Sequence, residues 1–535
     1  MAEIVLINPR LEISNYGLEH ALPFLGRKAV APPASLPLLA ALTPAEHRVT
    51  IVDENVEPID FARCAAADSV GVTGMVVHRR RMREILVELK RRDAFTVVGG
   101  PWVTVWEDDF GSLADVVFIG EAEESWPRFL AEWRNSTHRR RYEQAERTDM
   151  SKVPTPRLDL LKMGSYAFGN VQFSRGCPFT CEFCDIIVVF GRRPRFKTAP
   201  QVVAELDALR RHRIDTVFVV DDNLVGNKKA IKQLLPVVTA WQEANGYPMT
   251  FLAEASLDLA EDPDLLRMMA DANFSTVFVG IETPNEAALR ETKKLQNLRK
   301  GGAILDKVRA IQDSGLEVWS GLIVGFDNDR PGIFEMQRRF IEDARIVNAL
   351  VNLLVAIPRT PLHDRLSREG RFDAAGESLY GTNVIPLNMG REELRDGAFA
   401  LLGELYRPSA YFGRLDALYL DQGLKLEQGR QRYLQRRPLR RLAANAVLLG
   451  QALGLVLRLM AGVSDAALRR EYLVRLWGVL RRRPEPILLR LYALKCALHY
   501  HLHVMIWQRR SLGMGIDLQW PAGEETGAAV APAAR

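Results

Sequence analysis

Through the first 140 residues the apolar positions fall in short blocks, separated by stretches with a helical period. Strand-like blocks lie at Glu3–Asn8, Val49–Asp53, Ser69–Thr73, Thr96–Val98 and Asp115–Ile119. Helical patterns fill the intervals, as at Leu36–Leu42, Arg80–Arg91 and Glu124–Trp133. This alternation predicts an α/β class and a doubly wound, Rossmann-like parallel sheet over residues 1–140. Residues 141–165 read as a linker. Alternation resumes over 166–390, with strands predicted at Val171–Phe173, Thr216–Asp221, Thr250–Glu254, Thr276–Glu282, Val318–Val324 and Leu350–Ala356. Six such units predict a partial (β/α)6 barrel rather than a complete eight-unit one. Residues 391–520 form a basic C-terminal region that reads as helices to about residue 515, and the tail 521–535, rich in Ala, Pro and Gly, reads as disordered.

Length changes the picture little: 535 residues suit about three domains. Met1-Ala-Glu3 runs straight into the first strand, so no signal peptide is expected and the protein is placed in the cytoplasm. The net charge of +5 hides an asymmetry: residues 421–510 hold 18 Lys/Arg against 5 Asp/Glu, a surplus of 13 that leaves the rest at −8. Basic pairs flank the apolar run Leu442–Leu459, which Gln451 and Arg458 interrupt. An apolar face bordered by arginine suits a helix lying on the inner face of an anionic membrane. The plainer reading is a helical cap with a solvated basic face. Nucleic-acid binding is set aside, because aromatics do not interleave the arginine clusters as in an RNA-binding motif. His499-Tyr-His-Leu-His503 reads as structural, since 499 and 503 share a helix face and 501 does not.

The candidate chemistry lies in Phe173-Ser-Arg-Gly-Cys-Pro-Phe-Thr-Cys-Glu-Phe-Cys-Asp185. Cys177, Cys181 and Cys184 have C-x3-C-x2-C spacing on a loop after a strand. Three thiolates can hold three corners of a [4Fe–4S] cluster and leave one iron open. A structural zinc site normally takes four N/S ligands, and no histidine lies between residues 139 and 211. Cys64 and Cys496 stand alone in apolar contexts and read as buried hydrophobes, not as disulfide partners.

The cysteine triad, with aromatic Phe183 before the third cysteine, resembles the radical S-adenosylmethionine (SAM) superfamily. That resemblance implies SAM chelated at the open iron, with Phe183 among its neighbours. The polar groups at the carboxyl ends of the barrel strands then become SAM contacts: Asp221, Asp222 and Asn223 after the second, Glu254 and Ser256 after the third, Glu282 at the fourth, Gly321 and Gly325 on the fifth. Taken singly, each reads equally as a satisfied turn or cap.

The N-terminal domain, by its place before this motif, resembles the cobalamin-binding domain of B12-dependent radical SAM proteins. Its strand-end loops supply the implied cobalamin contacts: Asn8, Thr73, Gly74, Met75, Val76, Gly99, Gly100, Gly120 and Glu121. The D-x-H-x-x-G motif of many B12 enzymes is absent, which implies cobalt without a histidine ligand below it. Loop Thr73–His78 is expected under the corrin, with His78 at the surface beside Arg79-Arg-Arg81. Asn8-Pro-Arg10, Gly17–Pro23, Gly99–Thr104, Asp185–Arg195, Lys293–Asn297, Ala356–Leu362 and Gly381–Pro386 narrow the likeness to the subgroup that includes hopanoid C-2 methylases. The implied activity is C-methylation of ring A of a hopanoid lipid, with SAM as radical source and methyl donor and a ferredoxin or flavodoxin as reductant. The alternatives are a B12 radical SAM enzyme acting on another lipid or natural product, including ring formation without methyl transfer, and a non-catalytic membrane tether.

Overall fold

Strand β1 (Glu3–Asn8) is a continuous apolar run because both of its faces are covered: Ile4, Val5, Leu6 and Ile7 are at most 1 % exposed. The computed structural model describes residues 1–14, 16–298, 302–376 and 380–511. Around β1 lie β2 (Arg48–Asp53), β3 (Ser69–Thr73), β4 (Thr96–Gly99), β5 (Val116–Ile119) and β6 (Arg141–Glu143), all parallel, in the order β2-β1-β3-β4-β5-β6. The chain reverses its direction of travel across the sheet at β1, which opens a crevice beyond the carboxyl ends of β1 and β3. β6 lies past the boundary drawn at residue 140. Two of its three residues are solvent-exposed and it carries no apolar run; it is held by Tyr142, buried and stacked on Phe118 at 5.2 Å.

The second sheet contains β7 (Gly169–Val171), β10 (Thr216–Val219), β11 (Thr250–Ala255), β12 (Phe274–Glu282), β13 (Glu317–Val324) and β14 (Ala349–Leu353). All are parallel, in the order β14-β13-β12-β11-β10-β7, which is the expected open barrel of six strands. The first strand ends at Val171 rather than Phe173. The Asp221 carboxylate accepts hydrogen bonds from the Phe173 and Ser174 amides, both at 2.7 Å, and draws the chain out of the sheet. Beyond it a short antiparallel pair forms, β8 (Ser174–Arg175) with β9 (Arg195–Phe196). The last strand stops at Leu353, and the Ala356 amide donates instead to Asn383 Oδ1 at 2.8 Å.

Along β12 and β13 the residues that pack under the helices, such as Val277, Val279, Val318 and Leu322, are fully buried. The alternate residues, such as Phe278, Gly280, Gly321 and Ile323, keep partial exposure. The barrel therefore encloses a lumen reached by solvent, unlike a full eight-stranded barrel, whose interior is filled by side chains.

The C-terminal region is helical as expected. Three helices end it: α1 (Pro438–Gly462), α2 (Ala466–Arg482) and α3 (Pro486–Ser511). α3 is the buried one, and its Leu488, Tyr492, Cys496 and Leu502 belong to the same apolar core as the barrel strands. His499 and His501 are structural: His499 pairs with the Tyr472 hydroxyl at 2.8 Å, and His501 Nε2 meets the Ser14 carbonyl at 2.9 Å. Cys64 and Cys496 are buried and free. The tail 521–535 lies outside the described residues.

Candidate functional site

The cysteine loop is shaped by Gly176. Its φ of 95° is left-handed, and a Cβ there would sit about 3.0 Å from the Gly191 carbonyl oxygen, so the turn requires glycine. Asp222 accepts from the Gly176 amide at 2.7 Å, which ties the end of β10 to the loop. Cys181 is buried and Cys177 and Cys184 are half-buried. Side-chain amides approach two of the sulfurs: Gln296 Nε2 lies 3.3 Å from Cys181 Sγ, and Asn223 Nδ2 lies 3.9 Å from Cys177 Sγ. Among the described residues no three His, Cys, Asp or Glu side chains converge on a single ion. Three thiols with amide donors beside two of the sulfurs suit a cluster, in which each thiolate would take its own iron.

The residues expected at SAM divide into two sets. Asp221 is spent on the fold, because its oxygens hold two amides and the Ser174 hydroxyl. Asn223 and Ser256 bond to each other, Nδ2 to Oγ at 3.1 Å and Ser256 amide to Oδ1 at 3.1 Å, joining the ends of β10 and β11. Facing the lumen are Asp222, Glu254 and Glu282. Burial, then the Asp222 charge, pushes the Glu254 carboxyl up to about 7, and the Glu254 side chain makes no hydrogen bond among the described residues. Burial likewise raises Asp222 to about 6. Glu282 ends β12 with a left-handed φ of 65° at a register shift, an uncommon conformation for a non-glycine residue that is enriched at functional sites. Its Oε1 meets Lys294 Nζ at 2.7 Å. Burial opposes charge on Lys294, but Glu282 and the neighbouring cysteines carry its pKa above the ordinary lysine range. Lys294 Nζ also stands 5.9 Å from the Phe183 ring centroid. Gly321 makes room for the Phe278 ring, and the Gly325 amide donates to Asp329 at 2.9 Å. Lys294 and Gln296 are site residues that pattern reading did not single out; the only signal for them was the string Lys293–Asn297.

On the N-terminal domain, glycines bring the strand-end loops together. Gly100 has a φ of 108°, and a Cβ there would lie 2.5 Å from Thr73 Oγ1 and 2.8 Å from the Gly74 carbonyl. Gly99 leads into that turn, and Gly120, with φ 75°, borders open space. Met75 stands 51 % exposed beside half-buried Val76. This cradle of bare backbone with one protruding thioether suits a large flat ligand. Two of the expected contacts already have partners within the protein. Asn8 is occupied by Asp53, with Nδ2 to Oδ1 at 3.0 Å, because it pins β1 to β2. Glu121 is buried among Arg175 at 2.7 Å, Arg195 at 2.9 Å and the Thr148 amide at 3.0 Å. His78 is corrected. It is buried, not at the surface, because its Nδ1 accepts from the Met75 amide at 3.1 Å, and burial pulls its pKa down to about 4.

The two halves meet at the cysteine loop. A cleft of about 370 Å³ lies where β5 and β6 end, lined by Thr104, Gly120, Glu143 and Arg147 on one side and Val188 and Arg359 on the other. Arg359 Nη1 donates to the Thr104 carbonyl at 2.6 Å, and the Glu121–Arg175 pair joins the Gly120 turn to the residue before Gly176. The loops for the large flat ligand and the cysteine loop are thus held on one junction.

Family models match in the same layout: a B12 binding domain over residues 26–130, the radical SAM superfamily over 171–335 and a domain of unknown function (DUF4070) over 360–511. The chain is 38 % identical to an uncharacterised methyltransferase of Synechocystis, over 78 % of this chain and 79 % of that one. It is also 38 % identical to the hopanoid C-2 methylase of Rhodopseudomonas palustris, over 69 % of this chain and 71 % of that one. Among solved structures, the cobalamin-dependent SAM radical enzyme OxsB covers 96 % of this chain and 80 % of its own, with a TM-score of 0.58 at 13 % identity. The radical SAM methyltransferase TsrM of Kitasatospora setae covers 69 % and 75 %, with a TM-score of 0.55 at 17 % identity.

Proposed function

The chain belongs to the cobalamin-dependent radical SAM methyltransferases, with a [4Fe–4S] cluster, SAM and cobalamin as cofactors, and from that premise we propose that it methylates C-2, on ring A, of a hopanoid lipid. The observation that carries the substrate is the 38 % identity to the hopanoid C-2 methylase, over 69 % of this chain and 71 % of that one. When bound, the cofactors supply a 5′-deoxyadenosyl radical for hydrogen abstraction and a methyl group carried on cobalt. The protein holds, orients and shields them.

In this reading Cys177, Cys181 and Cys184 hold the cluster, and Gln296 and Asn223 support its sulfurs. Phe183, Asp222, Glu254, Glu282 and Lys294 surround SAM. Glu254 is an unpaired lumen-facing carboxylate and so offers a partner for its ammonium. The Glu282–Lys294 pair stays fixed at the strand end, so neither charge competes freely for the ligand. Thr73, Gly74, Met75, Val76, Gly99, Gly100 and Gly120 form the cobalamin cradle. A ferredoxin or flavodoxin supplies the electron.

A second reading, a family member acting on another lipid or natural product, with or without methyl transfer, is favoured by the equal 38 % identity to the uncharacterised methyltransferase. Expression with cobalamin and methyl-deuterated methionine, in a bacterium that makes only unmethylated hopanoids, separates the two. A deuterated methyl on ring A by lipid mass spectrometry supports the first reading. Unmethylated hopanoids alone, with cluster and cobalamin present in the purified protein, refute it. Cys181→Ala should end SAM cleavage while cobalamin stays bound.

A further inference from the structure

Helices α1 and α2 each turn one stripe to the protein and leave another uncovered. On α1, Ala452, Leu455 and Leu459 are buried, whereas Leu442, Leu449, Leu453 and Leu457 stand 50–70 % exposed. Those four leucines recur at helical spacing and share one side. On α2, Leu468, Tyr472, Leu476 and Val479 are buried, whereas Leu473, Val474, Trp477 and Leu480 stand 42–56 % exposed. Single exposed leucines are ordinary on any protein, but stripes of this length on two consecutive helices mark a contact surface.

The charges around the stripes identify the partner. From Gln428 to Ser464 the chain has seven arginines and no Asp or Glu. Arg436, Arg441 and Arg470 are exposed and have no acidic partner among the described residues. Arg481 lies 5.1 Å from the Trp477 ring centroid, beside that residue's exposed edge. We infer that α1 and α2 are a docking face for an anionic lipid leaflet, their leucines and Trp477 entering the headgroup–acyl boundary and their arginines meeting lipid phosphates.

α1 is long and apolar enough to cross a bilayer, with 25 residues, but its C-terminal half is fastened to the protein. Its buried stripe joins the core, Arg458 Nε donates to the Phe24 carbonyl at 2.5 Å, and Gly462 lies against the Phe24 ring. A second copy of the chain fits poorly, since a twofold axis through α1 would set its arginines, with no acidic residue on that helix, against themselves. The inference goes beyond the hopanoid reading and stands if the substrate is some other molecule.

The test is sedimentation of the cofactor-loaded full chain with vesicles of phosphatidylcholine, alone or mixed with phosphatidylglycerol. Binding is expected to the mixed vesicles and to weaken with salt. The triple variant Arg436→Gln, Arg441→Gln, Arg470→Gln should lower it by roughly 100-fold, at about fivefold per arginine. Leu449→Glu with Leu453→Glu should abolish it while cluster and cobalamin content stay unchanged. If that pair misfolds, the exposed arginine triple decides alone. The proposal is overturned if the unaltered chain ignores anionic vesicles or the arginine triple binds them equally. It is likewise overturned by retention through carbonate extraction, which means a span, or by a lipid-free dimer that the leucine pair dissociates, which means self-association.

Discussion

Glu121→Ala tests whether the domain junction is held by the charges buried in it. Glu121 has a side chain 1 % exposed and pairs with Arg175 and Arg195, which are 8 % and 15 % exposed. Removing one partner of a buried ion pair costs about 3–5 kcal/mol, because the charge left behind stays desolvated. Here part of that loss is offset: Arg175 keeps Glu123 at 2.7 Å and Gln172 at 3.0 Å. Arg195 loses the one carboxylate it pairs with among the described residues, keeping the Thr148 and Phe190 carbonyls, and the Thr148 amide loses its acceptor. The net cost is therefore placed at the lower end, about 3 kcal/mol. If the junction opens as a local unit, about 3 kcal/mol speeds amide exchange by roughly 100-fold. Hydrogen exchange by mass spectrometry should show this in residues 144–149 and 172–176, with little change in the distant strands β13 and β14. Arg195→Ala in the Glu121→Ala background should add less than it does alone, since the pair is already broken. Exchange that is unchanged at the junction, or that rises equally everywhere, refutes the reasoning.

Three further outcomes follow from the site. Glu254 is raised to about 7 in the fold, so the folded protein takes up a proton there; that contribution to stability is present below pH 4.5 and is lost as the pH rises through about 7. Glu254→Gln should therefore stabilise the apoprotein at pH 8, by up to about 3 kcal/mol, and leave it nearly unchanged at about pH 4, as read by urea unfolding; equal effects at both pH values contradict the assignment. Gly100→Ala should force the loops after β3 and β4 apart and reduce the cobalamin retained per chain, with β-sheet circular dichroism unchanged; full retention would mean that the two loops need not touch. Gln296→Leu removes the amide next to Cys181 Sγ and should shift the cluster potential negative by on the order of tens of millivolts in an electron paramagnetic resonance titration; an unmoved potential would show that this amide does not reach the bound cluster.

The sequence by itself determined the architecture and the chemistry. Apolar blocks of strand length alternating with helical periods lead to two parallel sheets, because strands covered on both faces must be apolar throughout, as at Ile4–Ile7. Three cysteines at C-x3-C-x2-C spacing mark the loop proposed to hold the cluster, because metal ligands are local and chemically distinctive. Tertiary structure decided what each polar strand-end residue does. Asp221 and Asp222 are adjacent and identical in type, yet one is consumed by the amides of Phe173 and Ser174 while the other reaches Gly176 beside the lumen. Glu121 reads like a ligand contact until Arg175 and Arg195, more than fifty residues away, close around it. His78 reads as exposed beside three arginines until the turn at Met75 folds its ring inward. Lys294 and Gln296 gain their positions only when the segment after β12 returns to the cysteine loop. A carboxylate, an amide or an imidazole has the same pattern in a sequence whether it faces a cofactor or a backbone amide. Only the three-dimensional set of donors and acceptors around it separates the two.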